Sequence, residues 1–176
     1  LQALVLARMD LVKLLQAQKN RLAAPQAARV ATTWRALAHE IRNQLRAIEA
    51  RIRALVGAHP VVRRDAQVAR QIQGIGDVTA NAVLALMPEL GRISRRQAAA
   101  LAGLAPHPNQ SGRRDAYRPT RGGRAEIKAA LFMPAMAAAR HDPAMRQAYT
   151  RLIANGKKPI VALTAIMRRI IVIANA

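Results

Sequence analysis

The chain contains no cysteine, so disulfides, thiolate metal sites and cysteine nucleophiles are excluded. Aromatic residues are almost as scarce, with one Trp, two Tyr and one Phe among 176 residues. A core built without them rests on Leu, Ile, Val, Met and Ala, and little is left for extensive stacking on nucleic-acid bases. Acidic residues are few as well. His39, His59, His107 and His141 are scattered, and no set of Asp and Glu has the spacing of a two-metal site. No metal and no cofactor is therefore expected in this chain. There is neither a secretory signal nor a run of 18 uncharged apolar residues, so export and a membrane span are unsupported, and a cytoplasmic location fits the missing cysteines.

What is abundant is positive charge. Twenty-nine Lys+Arg against nine Asp+Glu give a formal net charge of +20. A field of that sign attracts polyanions and speeds their encounter, but by itself it does not separate DNA from RNA or from an anionic membrane.

The stretch 68–123 organises the rest. It opens with a short helix running into Gly74-Ile75-Gly76, followed at once by a second helix from Asp77, the outline of a helix-hairpin-helix. Two glycines let the backbone turn freely and leave the N–H groups at the start of the second helix open to an anion such as a DNA phosphate. Val68 and Ile72 supply an apolar face, Ile75 plugs the gap, small Ala80 permits close crossing, and Asp77 caps the second helix. The plainer alternative is a helical corner punctuated by glycine. Ser94-Arg95-Arg96-Gln97 then reads as a capping box opening a helix that Gly103 stops.

From Arg92 to Lys128 there are nine basic and two acidic residues, on no simple helical period. Within this run Ser111-Gly112-Arg113-Arg114, Arg118 and Arg121-Gly122-Gly123-Arg124 suggest a basic loop or small β-hairpin. A serine hydroxyl, a flexible glycine and paired arginines are the parts of phosphodiester chemistry, and arginine binds two phosphate oxygens better than lysine. Spacing alone favours an ordinary turn at Ser111, since His107 is the nearest base. The bland alternative for the whole run is a solvated loop.

The N-terminal third is different in kind. Trp34, Leu37, Ile41, Leu45, Ile48, Ile52 and Leu55 recur every three or four residues, a coiled-coil period, after a first segment with Leu4, Leu11, Leu15 and Leu22 on one face and a break at Pro25. The stripe can be covered by the chain folding back on itself or by a second chain, and self-association as a dimer or tetramer is the preferred reading. After Gly122-Gly123 come three more helices: one kinked at Pro134, one opened by Asp142-Pro143, and a strongly apolar one from Ile160 to Ile173. Met133, Met136 and Met145 are read as core filler. The expectation is a mainly α chain, with a helical linker or oligomerisation arm over 1–57 and a compact domain over 58–176.

The order of Gly74-Ile75-Gly76, Ser94, Leu101-Ala102-Gly103-Leu104-Ala105-Pro106, Gln110-Ser111-Gly112, Tyr149, Gly156-Lys157 and Ala162 to Arg169 resembles the carboxy-terminal transposase domain of the IS110/IS116/IS902 family of insertion sequences. Leu11-Val12-Lys13 and Lys19-Asn20-Arg21-Leu22 resemble the helical linker ahead of it. The resemblance implies that Ser111 attacks DNA and becomes covalently joined to it. It suggests a DNA-facing role for Arg168 and Arg169, beside the DNA contacts that the glycine turn and basic run offer at Gly74, Ile75, Gly76, Arg113, Arg114, Arg118, Arg121, Gly122, Gly123 and Arg124. It also implies a separate amino-terminal nuclease-like domain, whose four acidic residues hold Mg2+, and a structured guide RNA as a further partner. That domain is not in this chain, which begins at Leu1, so a fragment is expected that binds DNA without efficient strand exchange. Two other classes fit the same residues: a non-catalytic helical nucleic-acid-binding or architectural module, and an oligomerisation protein with an incidental basic surface.

Overall fold

The structure is a computed structural model. It describes residues 1–106, 110–111, 114–115 and 120–176, with side chains described outside 107–119. The chain is mainly helical and divides into two compact units, Leu1–Arg63 and Arg64–Ala176.

The first unit is a helical arm. Helix α1 (Gln2–Leu22) and the long α2 (Ala31–Ala58) are joined through a 3-10 turn that starts at Pro25, where proline both ends the run of helical hydrogen bonds and suits a first helical position. The two helices pack on each other. Their register follows from two contacts: Arg8 reaches Glu49 at 2.8 Å, and the Arg21 guanidinium lies 5.0 Å over the Trp34 ring. Rising along α1 therefore corresponds to descending along α2, an antiparallel hairpin. Trp34 is a half-buried packing residue that takes a cation on its face.

The intramolecular alternative for the stripe is thus realised, but incompletely. Ile41 and Ile52 are buried together with Ala38 and Val5, while Leu45, Ile48 and Leu55 are half-buried. Leu37, Val12 and Leu14 remain exposed.

The second unit begins within α3 (Pro60–Arg70) and continues through α4 (Asp77–Leu86), α5 (Arg95–Leu101), α6 (Ala125–His141), α7 (Pro143–Ala154) and α8 (Pro159–Ala174). Helix α6 packs on α4, α7 and α8, and α8 packs on α5 and α7. Its core is aliphatic, as a chain nearly without aromatics requires: Ile127, Leu131, Ile166, Met167, Ile170 and Ile171 are fully buried. Local signals place the helix ends. The Ser94 hydroxyl accepts from Gln97 N–H while the Gln97 side chain accepts from Ser94 N–H, closing the capping box. Asp142 accepts from Met145 N–H at 2.9 Å with Pro143 at the first helical position. Gly103 and Gly156 follow α5 and α7 with positive φ.

Several apolar readings need correction. Met133 is 66% exposed and Met136 is also exposed, so of the three methionines read as filler only Met145 enters the core. Ile160 and Ile173, at the ends of α8, are exposed; burial concentrates on the middle of that helix. Val68 is exposed too, and Ala66 and Ala69 form the buried face of α3.

The C-terminus is tied down by a residue with no sequence signal. Buried Asn175 accepts from Gly91 N–H at 3.1 Å and donates to the Ile93 carbonyl at 2.8 Å, joining the end of α8 to the turn before α5.

Candidate nucleic-acid interface

The glycine turn joins α3 to α4. Ile75 is buried between the helices and Ala80 is fully buried, as the close crossing requires. The two glycines have different work. Gly74 has φ +92°, and a Cβ added there would lie 2.5 Å from the Pro134 carbonyl oxygen of α6. Its glycine is demanded by backbone packing. Gly76 has φ −92°, is exposed, and a Cβ added there would meet nothing within 4 Å. Gly76, not Asp77, is the N-cap of α4, and no side chain caps that helix start. Asp77 is the first helical residue and reaches back to Arg70 at 2.5 Å. The pair links α3 to α4 across the turn and offsets the negative charge beside it.

The serine loop leaves from the end of α5 and returns at the start of α6. Gln110–Ser111 (β1) pairs antiparallel with Arg114–Asp115 (β2), with Ser111 opposite Arg114. Nearer the base, Pro106 bridges Thr120, and Lys128 donates to the Thr120 hydroxyl at 3.0 Å. At the base itself Gly103 and Gly122-Gly123 lie backbone to backbone. A Cβ on Gly103 would sit 2.5 Å from the Gly122 oxygen, and one on Gly123 would collide with Gly103 N and Cα. Gly123 therefore serves close packing, whereas Gly122 is open. Arg113 and Arg118, with His107 and Tyr117, lie outside the described residues. Arg121 is exposed.

Arg124 occupies the junction. Its N–H donates to the Leu101 carbonyl at 2.7 Å, and its guanidinium forks onto both Glu89 oxygens at 2.8 and 2.6 Å. A further bond runs to the Leu86 carbonyl, at the C-terminal end of α4 where a cation is favoured. Those hydrogen bonds from Arg124 hold the Glu89 carboxyl down at about 2, from an ordinary value of 4.5, and Glu89 in turn raises Arg124. Because the folded value is depressed, what the pair adds to stability is complete above the ordinary carboxylate range and is lost as pH falls through about 2. Both side chains are about a third exposed, at 34% and 37%, so solvent screening keeps that contribution small.

Glycine turn and loop base sit at opposite ends of α4, separated by ten residues, or about 15 Å of helix. They are two places on one domain, not a single clamp. A groove of about 420 Å³ lined by Thr120, Lys128, Phe132, Ile160 and Val161 adjoins the loop base. The larger groove, about 710 Å³, is bounded by Ile72, Leu90, Met145 and Ile173 and does not include the loop. Among the described residues no three His, Cys, Asp or Glu side chains gather as a metal site, and no helix is long and apolar enough to cross a membrane.

Glu89, Thr120 and Lys128 were not picked out from the sequence. The signal for Glu89 was its rarity: a carboxylate among so many cations has partners to choose from.

Fold and site together define a mainly helical domain carrying a basic, serine-bearing loop on a clamped base. Residues 66–150 match the family described as "Transposase IS116/IS110/IS902 family". Over 131 residues the chain is 34% identical to the "Insertion element IS110 uncharacterized 43.6 kDa protein" of Streptomyces coelicolor, a span of 73% of this chain and 31% of that protein. The chain belongs to the IS110/IS116/IS902 family of transposases. It spans about a third of the length of the curated relative it matches.

Proposed function

We propose that this chain is the DNA-binding and catalytic-serine portion of a DNA transposase, with Ser111 as nucleophile. The observation that carries the reading is the loop: Ser111 pairs in register with Arg114 inside the matched family region, on a segment whose two ends are fastened together. We read that segment as a small β-hairpin. In the reaction the Ser111 hydroxyl oxygen bonds to a DNA phosphorus and its proton leaves for a base. The bond to one DNA oxygen breaks, and that oxygen departs as a strand-end hydroxyl. A hydroxyl of the partner strand then attacks the same phosphorus and releases serine. Each step exchanges one phosphodiester for another, so no external energy source is needed.

Arginines of the loop, Arg113, Arg114 and Arg118, stabilise charge developing on the nonbridging oxygens. On the family resemblance, proton removal and Mg2+ are assigned to a separate amino-terminal nuclease-like domain with acidic residues. The open start of α4 at Gly76 supplies a second backbone contact to DNA, about 15 Å from the loop base. A structured guide RNA is a further polyanion for the same surface.

Neutralising Arg113, Arg114 and Arg118 together tests the binding part. Each lost phosphate contact lowers the slope of log affinity against log salt by about 0.9 for duplex DNA, so the triple variant loses affinity and its slope flattens by up to about 3. An unchanged slope moves the binding surface elsewhere. The same titration with structured RNA shows whether that ligand uses these arginines.

The arm is proposed to hold copies of the protein together, since Leu37, Val12 and Leu14 stay exposed after α1 and α2 have paired. Polar replacement of Leu37 and Leu14 then lowers the oligomer mass measured by light scattering. A parent that is already monomeric sinks this role and leaves the arm as a spacer.

A further inference from the structure

We propose that Glu89 and Arg124 form a positioning latch for the Ser111 loop, and that Arg124 is not a phosphate ligand. The proposal rests on the reading of Ser111 as nucleophile, and it deepens that reading by naming residues that fix where the nucleophile stands.

Three chain ends meet at Arg124. Its backbone N–H bonds the carbonyl of Leu101, the last residue of α5, from which the loop departs. Its guanidinium bonds the carbonyl of Leu86, the last residue of α4, and both oxygens of Glu89 just beyond it. Arg124 itself is the N-cap of α6, where the loop returns. One residue thus fastens the departure and return points of the loop to each other and to α4. The neighbouring Gly103–Gly123 contact packs backbone on backbone, and Lys128 on α6 reaches Thr120, which bridges Pro106.

The choice of partner supports the same reading. A chain with 29 basic and nine acidic residues has cations to spare and few carboxylates. Placing one of those carboxylates in a bidentate fork on Arg124, with the Leu86 carbonyl on a third N–H, engages both terminal nitrogens that an end-on phosphate would use. An ion pair about a third exposed contributes little to global stability. Its larger effect is geometric, because a nucleophile must reach phosphorus in line and misplacement by about 1 Å costs about a hundredfold in rate.

The test uses the full-length transposase with a DNA substrate that traps the covalent intermediate. Glu89→Gln and Arg124→Gln are compared with the charge-reversed double variant Glu89→Arg/Arg124→Glu and with Ser111→Ala. Three quantities are read for each: DNA affinity across a salt series, the rate of denaturation-resistant adduct formation, and helical content by circular dichroism. The latch predicts that both single variants keep affinity within about twofold and keep the salt slope, yet form adduct about ten to a hundred times more slowly. The reversed pair recovers part of that rate, and only part, since its carboxylate cannot donate to the Leu86 carbonyl.

Arg124→Gln losing affinity and salt slope while Glu89→Gln loses neither would identify Arg124 as a phosphate ligand and overturn the proposal. Unchanged adduct rates in both folded single variants overturn it as well. Should Glu89→Gln slow the adduct only by unfolding, circular dichroism records the loss, and the latch is then a structural pair without a positioning role. An adduct that persists in Ser111→Ala instead removes the nucleophile assignment itself, and the latch with it.

Discussion

Ser111→Ala in the full-length transposase abolishes the covalent protein–DNA intermediate and strand transfer, while fold and most of the DNA affinity are retained. The expectation follows from what the alanine removes. It deletes one oxygen from a loop whose position is set elsewhere, by the Pro106–Thr120 bridge, the Gly103–Gly123 contact and the Arg124 junction. In the proposed reading phosphate contacts come from arginines and backbone N–H groups, and these are untouched. A single missing hydroxyl therefore costs little binding and all of the covalent chemistry, because its oxygen is the atom that bonds phosphorus in the proposed reaction. Gel analysis after denaturation separates the two quantities, with anisotropy or filter binding as the measure of affinity. Loss of affinity parallel to loss of adduct would mean that Ser111 binds without reacting, and the architectural reading of this domain would replace the catalytic one.

Gly123→Val is the second large effect, and it is structural. Gly123 has φ +70°, and the left-handed region costs an L-residue roughly 1–2 kcal/mol, more when it is β-branched. The first side-chain atom would in addition overlap backbone atoms of Gly103 and approach the Ala100 carbonyl at 2.7 Å. Backbone cannot swing aside as a flexible side chain would, so overpacking adds about 1–3 kcal/mol or forces the junction open. A total of about 2–5 kcal/mol is a large share of the stability of a domain of this size. Gly122→Val is the internal control. It has nearly the same φ, +68°, but open space around it, so it carries the conformational cost alone. Urea unfolding of both variants measures the difference directly, and limited proteolysis within 104–122 reports whether the loop base has opened. Equal destabilisation by the two would show that the Gly103–Gly123 contact is not maintained in solution.

What the sequence disclosed depended on range. The capping box at Ser94 and Gln97, the Asp142-Pro143 start and the break at Pro25 are decided within four residues, and all are as read. Helix periodicity identified the arm and the buried centre of α8. It did not say which parts of an apolar stripe would find cover, because that depends on neighbours far along the chain; hence the exposure of Ile160, Ile173, Met133 and Met136. Gly74 was legible as a turn residue, but its packing partner, Pro134, lies sixty residues on. Arg124 shows the same limit in chemical form. Within a run of arginines it reads as a DNA contact, and only the fold brings Glu89, 35 residues earlier, under its guanidinium. Family blocks spaced along the chain identified the family even so, since their order survives without knowledge of any contact.

The measurement that bears most directly on the account is peptide mapping of the covalent adduct. The full-length transposase is reacted with a trapping DNA substrate and magnesium, denatured, digested with nuclease and protease, and sequenced by mass spectrometry. The account predicts a residual nucleotide phosphate on the peptide containing Ser111, attached at that serine and absent from the Ser111→Ala protein. A nucleotide attached at any other residue, or an adduct of normal yield in the alanine variant, would contradict it.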